Sequence, residues 1–572
     1  LKHTATWSIV LILIIGAASS ETAAQEVHRE KKLIEAGWDA PDSRHLAGML
    51  DQVEKQPFDG LTVGAVGKRA DGSDISLGFA SCNEKWELAW FQTCVDELKA
   101  CKFQRLTDNF IIVHANPGDV DWFDDDGWRN IVGHWRIAAW VAKQSGFKGI
   151  CFDPEAYIPP HAQFRYSTQP QREKHTFAEY CEKARQRGRE MMQVVAKEFP
   201  DITILAYYLN SVVVAPVSQL EPRQSLENVD YGLLPPMVDG WLDVAPATVT
   251  MVDGHEAAYQ YNSRMAFLEA ANLIRGEAQN LVSPANRAKY RAQVQVGFGL
   301  FLDPHQDPNG YIDARGKPRV ERLTANAHDA LTVADKYVWI YGERYRWWPT
   351  TNRGVHPESW PDVFPGCDRA LRFAHDPFDF ICKQLTDLRA KGQAVNLARN
   401  GDFNSDKAVS FQETEVVYHD GCVPAGWDVW QAEHSKGSLT WDQKTDAAGE
   451  ATSGPSGSAR IAGAAIAYFI QPFRVQPGEY YVVSAVQRKE GKGHGAIHVR
   501  WQTAEGKWAC EPQDVSIQPQ EGGDQASPWR RMFGAVQVPD GAGRMVILLE
   551  AAGQTDMSDV IWYDGVEVFK AS

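Results

Sequence analysis

The residues in this chain best suited to bond-making chemistry lie in Gly149-Ile150-Cys151-Phe152-Asp153-Pro154-Glu155-Ala156-Tyr157. The apolar run reads as a buried strand, and Pro154 ends regular pairing where two carboxylates and a phenol follow. Side chains alternate along a strand, so Asp153 and Glu155 point the same way. If the strand belongs to a closed parallel barrel, that way is the mouth at the strands' C-terminal ends, where such folds place their chemistry. Further acids follow other strand-like runs: Asp253 and Glu256 in Val252-Asp253-Gly254-His255-Glu256, then Asp303, then Glu343 in Tyr341-Gly342-Glu343-Arg344-Tyr345. Glycosidic cleavage needs such a set, with one carboxyl protonated to help the leaving oxygen and another ionised to attack or to activate water. The reading takes Glu155 as general acid, Glu343 or Asp253 as its ionised partner, and Asp153 as the group that tunes Glu155 by like-charge repulsion. Any one of these acids could instead cap a helix or pair with an arginine. No Gly-x-Ser-x-Gly elbow offers a serine nucleophile in their place.

Polar and aromatic groups near the same strand ends are candidates for substrate contact: Tyr157, His114, Asn116, Tyr207, Tyr208, Asn210, His255, Glu256 and Asp303, with Trp347 and Trp348 beside Glu343. His114, His134 and His255 lack metal-binding spacing, and Asp124-Asp125-Asp126 before Trp128 reads as an acidic helix start rather than a calcium loop. Neither a metal nor another cofactor is expected.

Those side chains need a scaffold. Strand-like runs at Phe58–Gly64, Asn109–Val113, Gly149–Asp153, Ile202–Tyr208, Tyr231–Pro236, Thr248–Asp253, Val294–Leu300 and Tyr337–Tyr341 alternate with helical segments, the last helix falling near Phe378–Lys391. Alternation implies parallel pairing through crossovers, and eight units favour a (β/α)8 barrel over residues 25–395. Within that count Gly149–Asp153 is the third strand. Residues 396–572 read differently: short alternating runs between Gly, Pro, Asp and Ser turns predict an all-β sandwich.

Bulk properties narrow the partner. A formal charge of −16 over 572 residues, without clustered Lys and Arg, argues against nucleic acid or another polyanion and favours a neutral or uncharged polymer. Among the 20 Trp, Trp122, Trp128, Trp347, Trp348 and Trp360 lie in polar stretches where an exposed ring could stack on a sugar. Lys2 and His3, an apolar run from Trp7 to Ile15 and small residues to Ala24 form a signal-peptide pattern too short to span a membrane, so residues 1–24 are set apart. A secreted or periplasmic protein with no integral membrane segment after cleavage is expected. The nine cysteines make no dense framework; Cys367 with Cys382 is one conceivable bridge, whereas Cys94 and Cys101 are two helical turns apart.

Asn396-Leu397-Ala398-Arg399-Asn400-Gly401-Asp402-Phe403, Gly426-Trp427 and Trp562-Tyr563-Asp564-Gly565-Val566-Glu567-Val568 resemble the opening and closing strands of jelly-roll carbohydrate-binding modules attached to bacterial glycoside hydrolases. With the barrel, the whole chain resembles secreted bacterial (β/α)8 glycoside hydrolases with a C-terminal sandwich, implying hydrolysis of a polysaccharide or its oligomers. Asp153 and Glu155, two apart, also resemble the end of the carboxylate motif of chitinase-like barrels, in which the substrate's acetamido group attacks; the longer acidic run before that motif is missing here. The competing expectation is a non-catalytic glycan-binding surface protein on a barrel scaffold.

Overall fold

A computed structural model describes residues 31–158, 162–214, 222–404, 423–447, 457–520 and 527–571. The signal-peptide expectation at 1–24 lies outside them. The described residues fall into two compact units, one ending at Asp376 and the other beginning at Pro377. The helix Pro377–Ala390 therefore counts with the second unit. No described helix is long and apolar enough to cross a membrane.

The first unit is built on a parallel sheet: β1 (Lys32–Glu35), β2 (Gly60–Val63), β5 (Phe110–His114), β6 (Gly149–Asp153), β7 (Thr203–Ala206), β8 (Thr250–Asp253), β9 (Val294–Val296), β10 (Phe298–Phe301) and β11 (Tyr337–Tyr341). A two-stranded hairpin, β3 (Val66–Lys68) with β4 (Asp74–Ser76), follows β2. The strand order is β10-β11-β1-β2-β5-β6-β7-β8-β9. Its two ends, β9 and β10, are separated in the chain only by Gly297, so the sheet nearly closes on itself. All five residues of β6 are buried, as a strand with helices on one face and barrel interior on the other requires.

Two expectations are corrected. Tyr231–Pro236 is not a strand: Leu234–Val244 is a helix with prolines in its first turn, where the missing amide hydrogen is not needed. A strand lies instead at Lys32–Glu35, within a stretch that reads as polar linker because its lysines flank only two large apolar residues. The errors offset in the count but shift the order, making β6 the fourth parallel strand of the chain rather than the third.

Local chemistry sets the helices that wrap this sheet. Asp124 caps Asp125–Gln144 by accepting from the Asp126 and Gly127 amides, with Asp125 and Asp126 in the first turn, as expected of an acidic helix start. Thr176 and Glu179 form a reciprocal capping box on Phe177–Glu198. That helix packs on Leu234–Val244 through two glycines. A Cβ at Gly188 would stand 2.1 Å from the Met237 carbonyl oxygen, and one at Gly240 would stand 2.0 Å from that of Arg185, so only glycine permits the approach.

The five tryptophans in polar stretches, for which the sequence leaves both sugar stacking and ordinary burial open, are buried: Trp122, Trp128, Trp347, Trp348 and Trp360 are all at most 5% exposed. Trp122 donates to the Gln163 carbonyl at 2.9 Å, Trp128 to that of Asp121 at 3.1 Å and Trp348 to that of Asp39 at 2.7 Å, so these three rings gain burial without a stranded N–H, whereas Trp360 Nε1 finds no partner among the described residues. Cys367 and Cys382 are both thiols; they sit on separate helices assigned to different units.

The second unit carries two antiparallel sheets that include β12 (Asp428–Gln431), β13 (Ser438–Asp442), β14 (Ser458–Ala462), β18 (Trp508–Ala509), β19 (Val515–Ile517) and β20 (Trp529–Gln537). The runs predicted as strands form β15 (Ile466–Arg474), β16 (Tyr480–Glu490), β17 (Ile497–Gln502) and β21 (Arg544–Ala552), and the closing run lies in β22 (Val560–Lys570). The strand orders are β12-β15-β21-β17-β18 and β13-β14-β22-β16-β20, with β19 on β17. Phe469, Trp501, Ile547, Tyr563 and Val568 fill the space between the sheets. The stretch after Asn396 runs along β22, with Leu397 N donating to Val568 O and Val566 N to Gly401 O.

Candidate active site at the barrel mouth

The residues after β6 form a braced carboxyl pair. Asp153, 1% exposed, accepts from the Glu155 amide (2.9 Å) and lies 3.2 Å from Nδ1 of His114 on β5. Asn116 fastens the following turn, donating to the Glu155 carbonyl and accepting from the Tyr157 amide, each at 2.9 Å. The Tyr157 hydroxyl then folds back to within 2.9 Å of Asp153 Oδ2 and 2.8 Å of Glu155 Oε2. The hydroxyl is the donor toward both carboxyls, so its one hydrogen is shared between Asp153 and Glu155. Burial raises the pKa of Glu155 above the usual carboxylate range; the Tyr157 hydrogen bond opposes this, while the charges of Asp153 and Glu343 add to it.

Glu343 follows β11, which is separated from β6 by β1, β2 and β5 on one side and by β7, β8 and the β9–β10 pair on the other. The two carboxyls thus come from opposite sides of the mouth, close enough for each charge to act on the other. Asp303 positions Glu343 from beneath, accepting from the Glu343 amide at 3.0 Å and the Arg344 amide at 3.2 Å. The Tyr341 hydroxyl donates to Glu343 Oε1 at 3.1 Å while accepting from Trp38 Nε1 at 2.7 Å. Trp38 is 45% exposed at this rim. It escapes sequence reasoning because the strand before it does; a strand at 32–35 would have marked Gly37-Trp38 as a mouth loop.

Asp253 is placed differently. It is fully buried, and its carboxylate accepts from Leu209 N (3.1 Å), Ser211 N (2.9 Å) and Ser211 Oγ (2.6 Å). It ties the loop after β7 to β8 and does not face Glu155. Several expected contact residues are likewise internal. Tyr207 stacks on Trp339 at 4.3 Å, and Asn210 is fully buried with its amide toward Ala278 O. Trp347 and Trp348 pack edge-on against Phe58. His255, in a left-handed backbone conformation, is buried with Nε2 2.6 Å from the Tyr261 hydroxyl. Tyr208 is 3% exposed at the wall of a cavity that also contains Glu256. Burial, then the charges of Glu155, Asp153 and Glu343, push Glu256 up to about 8. Among the described residues no three His, Cys, Asp or Glu side chains converge as metal ligands.

A second acid pair lies under the rim. Glu35 at the end of β1 and Asp39 are both 1% exposed and interact, and Glu35 Oε2 and Asp39 Oδ1 meet no donor among the described residues, so burial favours a proton held between the two carboxyls. Asp39 also accepts from the Trp347 amide at 2.5 Å, and its carbonyl accepts from Trp348 Nε1 at 2.7 Å, so the pair ties β1 to the loop that carries Glu343. Burial raises both carboxyls, Asp39 to about 6 and Glu35 well above its ordinary range. The folded state therefore holds protons that the unfolded chain has released. Stability is full below the ordinary carboxylate pKa and is lost as pH rises through about 6 and beyond. Glu35→Gln, which needs no shared proton, is expected to flatten that loss. Denaturant unfolding at pH 5 and pH 8 should show the variant gaining roughly 2 kcal/mol on the native chain at the higher pH only; equal slopes would contradict the shared proton.

No protein-family model matches the sequence, and no curated protein matches it. Among solved structures, the chain is similar to the enzymatically active domain of bacteriophage CBA120 tailspike protein 4 (15% identity, 31% of this chain and 22% of that chain, TM-score 0.22). It is also similar to a carbohydrate-binding module described as CBM4 (19% identity, 30% of this chain and 99% of that one, TM-score 0.20). A third similarity is to the CBM22-1 xylan-binding domain of Paenibacillus barcinonensis Xyn10C (14% identity, 26% and 90%, TM-score 0.20).

Proposed function

We propose that the first unit is a glycoside hydrolase that uses Glu155 as general acid and Glu343 as the second carboxyl. Counting β9 and β10 as one strand interrupted at Gly297 makes its scaffold a (β/α)8 barrel. The observation that carries the reading is the pair of carboxyls, Glu155 after β6 and Glu343 after β11, on opposite sides of the mouth, with burial and the charges of Asp153 and Glu343 favouring a proton on Glu155. A sugar lying over the mouth meets that proton donor on one side. On the other it meets Glu343, which attacks the anomeric carbon or activates a water there. Asp303 and Tyr341 fix Glu343, and Asn116 and His114 fix the opposing pair. Because the second carboxyl comes from β11, the reaction does not need the substrate's own acetamido group. Reducing-sugar release from a panel of plant, algal and microbial glycans tests the proposal; no release from any of them, with glycan binding intact, would favour the binding-only reading.

The second unit supplies a place for glycan to rest. Trp430 on β12 (Asp428–Gln431) is 43% exposed and stacks on Tyr468 of β15 with ring centroids 5.6 Å apart. Tyr468 donates to Glu550 Oε1 at 3.1 Å, and His498 Nε2 lies 3.0 Å from Glu550 Oε2, so an aromatic and polar strip crosses β12, β15, β21 and β17. Indole faces stack on the apolar faces of pyranoses while the carboxylate and imidazole take hydroxyls. Trp430→Ala is expected to weaken retention in glycan-containing gels at least about 10-fold, with thermal stability nearly unchanged because the ring is exposed. Unchanged retention would remove this surface from consideration.

A further inference from the structure

Between the loops that follow β7, β8 and β10 lies a cavity of about 350 Å³ whose walls include Tyr208, His255, Glu256, Tyr259, Phe301 and Tyr311. That volume lies within the range of small-ligand sites, about 300–1,000 Å³. Within the described residues the Glu256 side chain makes no hydrogen bond and no ion pair, although it is half-buried. The charges that reach it are those of Glu155, Asp153 and Glu343, all of one sign. Arg344, the cation next to Glu343 in the β11 loop, is taken up by Asp303 and Asp307 at 3.5 and 3.3 Å. Among the described residues no cation pairs with Glu256, so holding it within reach of three like charges costs free energy that a positively charged ligand would return.

Two further features describe that ligand. Tyr259 stacks parallel to Tyr341 (5.6 Å, 12°) and packs on Phe301 (5.2 Å), giving ring faces that attract both an ammonium and the C–H face of a sugar. The Tyr208 hydroxyl, in a side chain 97% buried by its 3% exposure, is turned toward Tyr231 without closing a hydrogen bond, leaving a polar group for a ligand hydroxyl.

We propose that this cavity is a subsite for a sugar carrying a free amine, with the Glu256 carboxylate anchoring its ammonium and the Tyr208 hydroxyl and Tyr259 ring holding the pyranose. The proposal rests on the glycoside hydrolase reading and narrows its substrate to glycans that contain unacetylated amino sugars. The incoming ammonium supplies the counter-charge Glu256 lacks, so binding displaces the carboxyl proton that burial retains.

The test compares glucosamine, N-acetylglucosamine and glucose, and the matching galactose series, by NMR titration of the full chain, because monosaccharides make the outcome independent of linkage. At least one amino sugar is expected to bind about 10-fold or more tightly than its acetylated and neutral counterparts. Glu256→Gln should bring the three within about 3-fold of one another, while Glu155→Gln keeps the preference. Equal binding of the three sugars, no measurable binding of either amino sugar, or an unchanged preference in Glu256→Gln each overturns the subsite. Release of reducing sugar from neutral glycans without amine preference overturns the subsite and leaves hydrolysis standing. Amine preference in binding, lost in Glu256→Gln but with no release from any glycan, supports the subsite and overturns hydrolysis.

Discussion

Glu155→Gln is expected to lower kcat/KM on the hydrolysed glycan by about 10³, within the range of 10²–10⁴ typical of a lost general acid. The amide cannot give up a proton to the leaving oxygen, yet it keeps the size of the carboxyl and can hold the Tyr157 contact, so thermal unfolding should be unchanged. The pH profile gives an independent readout. A general acid must be protonated, and Glu155 has a raised pKa, so kcat/KM falls on the alkaline side as pH passes through that raised value. Tyr157→Phe removes the hydrogen bond that opposes the rise and should push this alkaline limb higher while lowering the maximum rate. A Glu155→Gln enzyme with native kcat/KM, or an alkaline limb that stays put in Tyr157→Phe, would remove Glu155 from the acid role.

The second large effect is on folding. Asp253→Ala is expected to cost about 3–5 kcal/mol, because it strands the Leu209 and Ser211 amides and the Ser211 hydroxyl, all buried and all bonded to that carboxylate. The loop after β7 loses its anchor on β8, and denaturant midpoints should fall accordingly. Asp253→Asn, retaining one carbonyl oxygen as acceptor, should recover part of the loss. If Asp253 were instead the ionised partner in catalysis, Asp253→Asn would abolish turnover without moving the unfolding curve. The same pair of measurements on Glu343→Gln should give that second pattern, large in rate and small in stability.

Much of the architecture was legible in the chain because short-range chemistry dictates it. The period of the apolar residues marks β6, β8 and β11, the Asp124 and Thr176 caps mark helix starts, and the turn-punctuated runs after residue 456 mark the sandwich strands. What failed were segments where local signal and tertiary environment diverge. Lys32–Glu35 has too few large apolar residues to advertise a strand, and becomes one because β2 and β11 pair with it on both sides. Tyr231–Pro236 has apolar content without alternation, and its prolines serve a helix start.

By itself the sequence determined that Asp153 and Glu155 project together from a strand end, because the period of a strand is two whatever surrounds it. It also determined that acids recur after later strands. Only the tertiary structure decided which acids meet. Burial and three hydrogen bonds turn Asp253 inward, whereas β11 brings Glu343 to the rim opposite β6, and folding puts Glu256 within reach of the Glu155 charge across about a hundred residues of chain. Periodicity is local and is written residue by residue. Charge coupling and solvent exposure depend on separations in space, which the chain acquires only when the parallel sheet nearly closes.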